Sequence, residues 1–92
     1  MEEHEQSEAL FFGLISMLSQ GAMQHLGKMA DPLTQKIEKN LEAAKATIDL
    51  LRVLKDKTKG NLTPEETRAL NSILTNLQLN YVEEVESSKK EA

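Results

Sequence analysis

The segment that decides the fold runs from Asn40 to Gly60 and reads NLEAAKATIDLLRVLKDKTKG. Apolar residues recur in it at spacings of three and four, which is the repeat of an amphipathic α-helix. Asn40 is a favourable N-cap because its side-chain oxygen can accept hydrogen bonds from amides one turn further on. Gly60 can adopt the left-handed conformation that ends a helix. We therefore predict a helix over residues 40–60, with an apolar arc wide enough to contact more than one neighbour.

Directly after it, residues 61–66 read NLTPEE and predict the start of another helix. Thr63 is the expected N-cap, Pro64 fits the first helical position, and Glu66 completes a capping box with Thr63. This helix is predicted over residues 63–87. Because the connection is so short, we expect the two helices to form an antiparallel hairpin. The apolar stripe of the second one consists of Leu70, Ile73, Leu74, Leu77, Tyr81 and Val85.

Upstream, residues 9–26 read ALFFGLISMLSQGAMQHL and predict a helix over residues 7–27. Its apolar residues surround the axis. One line along it carries Leu10, Leu14, Met17 and Leu18. Another line carries Phe12, Ile15 and Ala22, and a third is small or polar: Ala9, Gly13, Ser16 and Gln20. The length is close to that of a membrane span, but polar residues interrupt it and no Lys or Arg precedes it, which argues against a span.

The predicted fold is all-α, with three helices in one domain over residues 7–86. Residues 1–6 are expected to be a disordered acidic N-terminus, and residues 87–92 a disordered tail. A hairpin of this size cannot cover a first helix that is apolar on every side, so we expect self-association, with a homodimer favoured over a higher oligomer. The predicted interface residues are Phe11, Phe12, Leu14, Ile15, Leu18, Ala22 and Leu26.

Composition argues against several classes of function. The net charge is −4, and only Phe11, Phe12 and Tyr81 are aromatic, so we expect no nucleic-acid partner. The chain has no cysteine and therefore no thiolate metal site. Four glutamates and no Lys or Arg lie in residues 1–8, unlike the basic start of a secretory signal, so we expect a cytoplasmic protein.

No residues are predicted to be catalytic, to hold a cofactor or to ligate a metal. His25 has no partner in the sequence that would orient it as a general base, and a histidine at a helix end is more often a dipole partner. The charges of the central helix alternate at helical spacing, which is typical of a solvated ladder of side-chain pairs. Within and beside that ladder, Asp49, Arg52 and Tyr81 are candidate contacts to a protein partner. The chain is therefore not expected to be an enzyme.

The segments FFGLISML (residues 11–18) and NLEAAKATIDLLRVLKDKTKGNLTPEE (residues 40–66) resemble one bacterial family. It is catalogued as domain of unknown function 1844, and the resemblance runs from about Leu10 to Glu83. It implies a small bacterial helical protein and no particular activity, cofactor or catalytic residue.

These observations favour a non-enzymatic, self-associating helical module that binds another protein. The alternative is a protein that binds a membrane peripherally through residues 9–26. The sequence leaves open whether the first helix packs on its own chain, on a second copy or on a membrane.

Overall fold

The computed structural model describes residues 3–91, which form three α-helices and no strand. Helix α1 spans Glu3–His25, α2 spans Leu41–Lys57 and α3 spans Pro64–Glu91. The prediction of an all-α chain with three helices is confirmed, and each helix contacts both others. In this part of the chain no helix has the length and apolar character needed to cross a bilayer.

The outer ends of α1 and α3 extend further than the sequence predicted. Residues 3–6 and 87–91, which we expected to be disordered, are helical. Acidic side chains in the first turn of α1 and basic side chains in the last turn of α3 both complement the helix dipole. The predicted disorder of residues 1, 2 and 92 lies outside the described residues.

The inner ends are shorter than predicted, because capping bonds stop the helices before the glycines. Helix α2 ends at Lys57, and the Thr58 hydroxyl and amide both donate to the Leu54 carbonyl, at 2.7 and 3.0 Å. Gly60 follows with a φ of 88°. Helix α1 ends at His25, two residues before Gly27, which has a φ of 80°. Each glycine therefore lies in the turn that leaves the helix.

The apolar core takes three side chains from α1 and the residue after it, three from α2 and three from α3. The residues that are almost completely buried are Ile15, Ala22 and Leu26, then Ala44, Ile48 and Leu51, and finally Leu70, Leu74 and Leu77. Their spacing of three, four or seven within each segment places each trio on one side of a helix. The predicted apolar stripes of α2 and α3 thus contain the core residues, whereas α1 contributes only one of its several apolar lines.

Two hydrogen bonds between segments tie the helix ends together. The Asn40 amide donates to the His25 carbonyl at 2.7 Å, so α2 starts beside the end of α1. The Thr63 hydroxyl donates to Glu8 Oε2 at 3.1 Å, so α3 starts beside the first part of α1. The Asn40 N-cap is confirmed, because its side chain accepts from the Ala43 amide at 3.0 Å.

The predicted capping box at the start of α3 is also present. The Glu66 amide donates to the Thr63 hydroxyl oxygen at 3.1 Å, and the Thr63 amide donates to Glu66 Oε1 at 2.7 Å. Glu66 is buried, and its capping bond supplies the partner that a buried carboxylate needs. The Thr63 hydroxyl therefore serves two helices at once, as the cap of α3 and as a donor to Glu8 of α1.

Replacement of this cap is expected to destabilise the fold. Thr63→Ala removes the acceptor of the Glu66 amide and the donor to Glu8, and loss of an N-cap costs about 0.5–2 kcal/mol. Urea denaturation followed by circular dichroism measures the change in the free energy of unfolding. Thr75→Ala is the matched control, since Thr75 is exposed within α3. Equal stabilities of the two variants would contradict the role given to Thr63.

Candidate functional site

A concave surface of the described chain lies between α2 and α3. One part of it, with a volume of about 240 Å³, is open to solvent. Its lining residues are Lys45, Ile48, Asp49, Arg52, Gln78, Tyr81 and Val82. All three predicted partner contacts, Asp49, Arg52 and Tyr81, are therefore brought together in one place. We call this surface, together with the adjoining part lined by Lys55, Asp56 and Asn71, the α2/α3 groove.

The charged side of the α2/α3 groove follows from helical spacing. Lys45 and Asp49 are four residues apart, and Lys45 Nζ donates to Asp49 Oδ2 at 2.9 Å. Arg52 is three residues further, with Nη1 4.0 Å from Asp49 Oδ1. The hydrogen bond that Lys45 donates to Asp49, and after it the negative charge of Asp49, raises the pKa of Lys45. The pairs are solvent-exposed, as the alternating charges of the sequence predicted, and contribute little to stability.

The α2/α3 groove continues towards the end of α2. A second part of about 400 Å³ is lined by Arg52, Lys55, Asp56, Asn71, Leu74, Thr75 and Gln78. Arg52 and Gln78 line both parts, so the two parts meet at these residues. The lining combines charges of both signs with amide groups and a few apolar side chains. Such a surface suits a polar or charged segment of another protein.

The residues predicted for self-association divide into two groups. Ile15, Ala22 and Leu26 are buried in the core of the single chain, so their surface is already covered. Those that are not fully buried are Phe11, Phe12, Leu14 and Leu18.

Of the three most exposed apolar side chains of α1, the predicted interface included Leu14 but not Leu10 or Met17. Leu10 is 74% exposed, Met17 63% and Leu14 39%. They lie at spacings of four and three, so they follow one line along α1. The sequence shows this line, but without the structure nothing distinguishes it from the line that enters the core. We call Leu10, Leu14, Met17 and Gly21, which continues the same line, the outer stripe of α1.

His25 occupies a structural position at the end of α1. It is half-buried and lines a small cavity of about 50 Å³ with Gln24, Asp31 and Glu38. Its carbonyl accepts the hydrogen bond from the Asn40 amide that links α1 to α2. Among the side chains that the structure describes, no group of three or more His, Cys, Asp or Glu is arranged to hold a metal ion.

An ionic cluster that the sequence did not predict joins α3 to the segment between α1 and α2. Glu84 accepts from Lys39 Nζ at 2.8 Å and from Lys28 Nζ at 2.9 Å. The hydrogen bonds from Lys39 and Lys28 lower the pKa of Glu84, and the same contact raises the pKa of Lys28. The three residues are far apart in sequence, so no local pattern indicates that they meet.

Comparison with known proteins gives one family. A family model described as Domain of unknown function (DUF1844) matches residues 8–83, which include the α2/α3 groove, the outer stripe of α1 and Thr63. No curated protein and no solved structure matches the chain.

The Glu84 cluster is expected to make stability depend on pH in a defined direction. Because its folded-state pKa is lowered, Glu84 stabilises the fold above its unfolded-state pKa, and this contribution is lost as pH falls through the folded-state value. Glu84→Gln should therefore be less stable than the wild type at pH 7, and the difference should shrink in acid.

Urea denaturation at pH 7 and at pH 3 tests this expectation. Glu86→Gln is the control, because Glu86 is an exposed glutamate on the same helix. A difference between Glu84→Gln and the wild type that stays constant from pH 7 to pH 3 would show that Glu84 stabilises the fold without its charge.

Proposed function

This chain belongs to the family described as a domain of unknown function (DUF1844), and we propose that it is a non-enzymatic helical module that self-associates and binds another protein. Self-association uses the outer stripe of α1, and the protein partner binds the α2/α3 groove. A homodimer is the proposed assembly, because a two-fold interface uses the same surface on both copies and closes. The proposed setting is a bacterial cell, as the family resemblance implies, and within it the cytoplasm.

The observation that carries the proposal is the exposed apolar face of α1. Helix α1 packs one side against α2 and α3, and the side away from the core still presents Leu10, Leu14 and Met17 to solvent. Single exposed apolar residues are ordinary on protein surfaces, whereas an aligned set on one helix face is typical of an interaction site. Burial of this face against a second copy would remove it from water.

The size of this area predicts a weak dimer. Complete burial of an apolar side chain contributes about 1.5–3 kcal/mol, and the three side chains of α1 are only partly exposed. Two copies together gain about 5–10 kcal/mol from them on this scale. Association itself costs about 4–15 kcal/mol, so at most about 6 kcal/mol remains, and we expect a dissociation constant of tens of micromolar or weaker.

The antiparallel arrangement of α2 and α3 as a hairpin is part of the proposal. Six residues connect the helices, and the α2/α3 groove supports opposite directions. Towards the start of α2, Lys45 lies in the same part of the groove as Tyr81. Towards its end, Asp56 lies in the same part as Asn71.

Charge on the outer stripe is expected to dissociate the dimer without unfolding the chain. Leu10→Glu and Met17→Glu each bring a carboxylate into the proposed apolar interface, and we expect the dissociation constant to rise at least about tenfold. Size-exclusion chromatography with light scattering, from 1 to 200 μM, measures it. Leu33→Glu is the control, because Leu33 is 92% exposed in the segment between α1 and α2 and should leave the dimer intact.

A monomeric wild type at every concentration would remove self-association from the proposal. The same protein then tests the alternative, which is peripheral membrane binding through α1. Interfacial helices carry Lys or Arg beside their apolar face, whereas the first turn of α1 carries Glu3 and Glu5. Co-sedimentation of the wild type, but not of Leu10→Glu, with vesicles that contain anionic lipid would favour this alternative.

The α2/α3 groove is proposed as the site of the protein partner because it combines Arg52 and Asp49 with the partly buried ring of Tyr81. Arginine and tyrosine are enriched among residues that dominate binding energy at interfaces. An exposed arginine beside a tyrosine offers a charged and an aromatic contact within one small area.

Reversal of charge at Arg52 is expected to weaken partner binding several-fold while the dimer persists. Affinity purification of the tagged chain from its own cells, with quantitative mass spectrometry, should identify proteins retained by the wild type and lost by Arg52→Glu. Lys57→Glu is the matched control, since Lys57 is exposed in α2 and does not line the groove described here. Equal recovery with Arg52→Glu and the wild type would exclude the groove as the binding site.

A further inference from the structure

We propose that two copies of this chain pair through α1 in opposite directions, with Leu10 of one copy packed over Gly21 of the other. Leu14 and Met17 then meet at the centre of the contact. This inference rests on the proposed self-association and specifies its partner, direction and register. It is carried by three features of α1: the spacing of the outer stripe, two helical glycines, and the charges at the ends of the helix.

The outer stripe has the same spacing in both directions. Leu10, Leu14, Met17 and Gly21 are separated by four, three and four residues. A two-fold axis midway between residues 15 and 16 therefore exchanges Leu10 with Gly21 and Leu14 with Met17. Every position of the stripe then faces another position of the same stripe. This is the self-complementarity that a two-fold interface requires.

Size complementarity favours the same arrangement. In opposite directions, the large Leu10 side chain faces the position that has no side chain, at both ends of the contact. In a parallel pair, Leu10 would face Leu10 and Gly21 would face Gly21, which leaves one end crowded and the other empty. Close packing without voids is what stabilises an interface core, so the parallel pair would lose contacts.

The glycines of α1 have no function in their own chain that the structure explains. Glycine destabilises a helix interior relative to alanine. Gly13 and Gly21 lack the positive φ that Gly27 and Gly60 have. A Cβ added at Gly13 or Gly21 would meet no atom of its own chain within 4 Å. The fold of one copy therefore does not require glycine at either position, whereas a second helix packed on the outer stripe would approach the backbone closely at Gly21.

Charge at the ends of α1 favours opposite directions as well. Glu3 and Glu5 lie in its first turn, and His25 lies in its last. Lys28 follows the helix, and its side chain is one-third exposed although it pairs with Glu84. In opposite directions the acidic first turns of the two copies lie at opposite ends of the contact. A parallel pair would bring the acidic ends together, and such repulsion selects orientation more than it changes affinity.

Cysteine cross-linking tests the direction and register, because the natural chain contains no cysteine. Leu10→Cys and Gly21→Cys, one of them carrying a tag, are refolded together, exposed to an oxidant and separated on a non-reducing gel. Leu10 faces solvent in one copy, and Gly21 has open space for a side chain. Circular dichroism checks that each variant folds. We expect the mixed disulfide to dominate over both symmetric disulfides by at least tenfold.

Distance is the reason for this expectation. In the proposed register the two Leu10 positions are eleven residues apart along the helix axis, which is about 16 Å. A disulfide needs Cα atoms within about 7 Å, so Leu10→Cys alone should not cross-link. Leu33→Cys, outside the helices, is the control for random collision.

The possible outcomes separate this inference from the function it rests on. Symmetric Leu10→Cys cross-links at the rate of the mixed pair would indicate parallel packing and overturn the inference, while self-association through α1 would stand. No specific cross-link, in a sample that light scattering finds dimeric, would place the interface elsewhere and also overturn it. A monomeric sample would overturn both.

Discussion

The small size of the core is the constraint on which the rest of this structure depends. Nine almost completely buried apolar side chains, three from each part of the described chain, hold three helices together. A core of this size covers one side of each helix and no more. The other sides are left to solvent or to a partner, and what they carry decides which surfaces can bind. The outer stripe of α1 and the α2/α3 groove both follow from this limit.

Polar contacts set the arrangement around that core. The Thr63 hydroxyl links the start of α3 to Glu8 of α1, and the Asn40 amide links the start of α2 to the end of α1. Glu84 joins α3 to Lys28 and Lys39. Apolar packing is not directional, whereas hydrogen bonds and ion pairs have a preferred geometry, so these few contacts help to select one arrangement of three similar helices.

The two candidate surfaces differ in chemistry and lie on different parts of the molecule. The outer stripe of α1 is apolar and contains a glycine, which suits close packing against a second helix. The α2/α3 groove contains charges of both signs around Tyr81, which suits a polar segment of another protein. Because the surfaces are separate, the proposed dimer would be able to bind two copies of a partner. Two weak contacts made together would give a higher overall affinity than either contact alone.

The sequence by itself determined the local features of this protein. It was sufficient for the number of helices, the Asn40 cap and the Thr63–Glu66 capping box, because each depends on residues within one turn of each other. It also placed Asp49 and Arg52 on one face of α2. The outer helix ends were missed, since charges that favour a helix dipole were interpreted as signs of disorder.

Only the tertiary structure decided which side of α1 enters the core. The helix has apolar residues all around, so its own sequence gives several equivalent sides, and contact with α2 and α3 selects Ile15 and Ala22 over Leu10 and Met17. The same holds for Glu84 and for Glu8, whose partners are distant in sequence. Periodicity reports on residues within a few turns of one helix, whereas burial depends on neighbours that the chain brings together only when it folds.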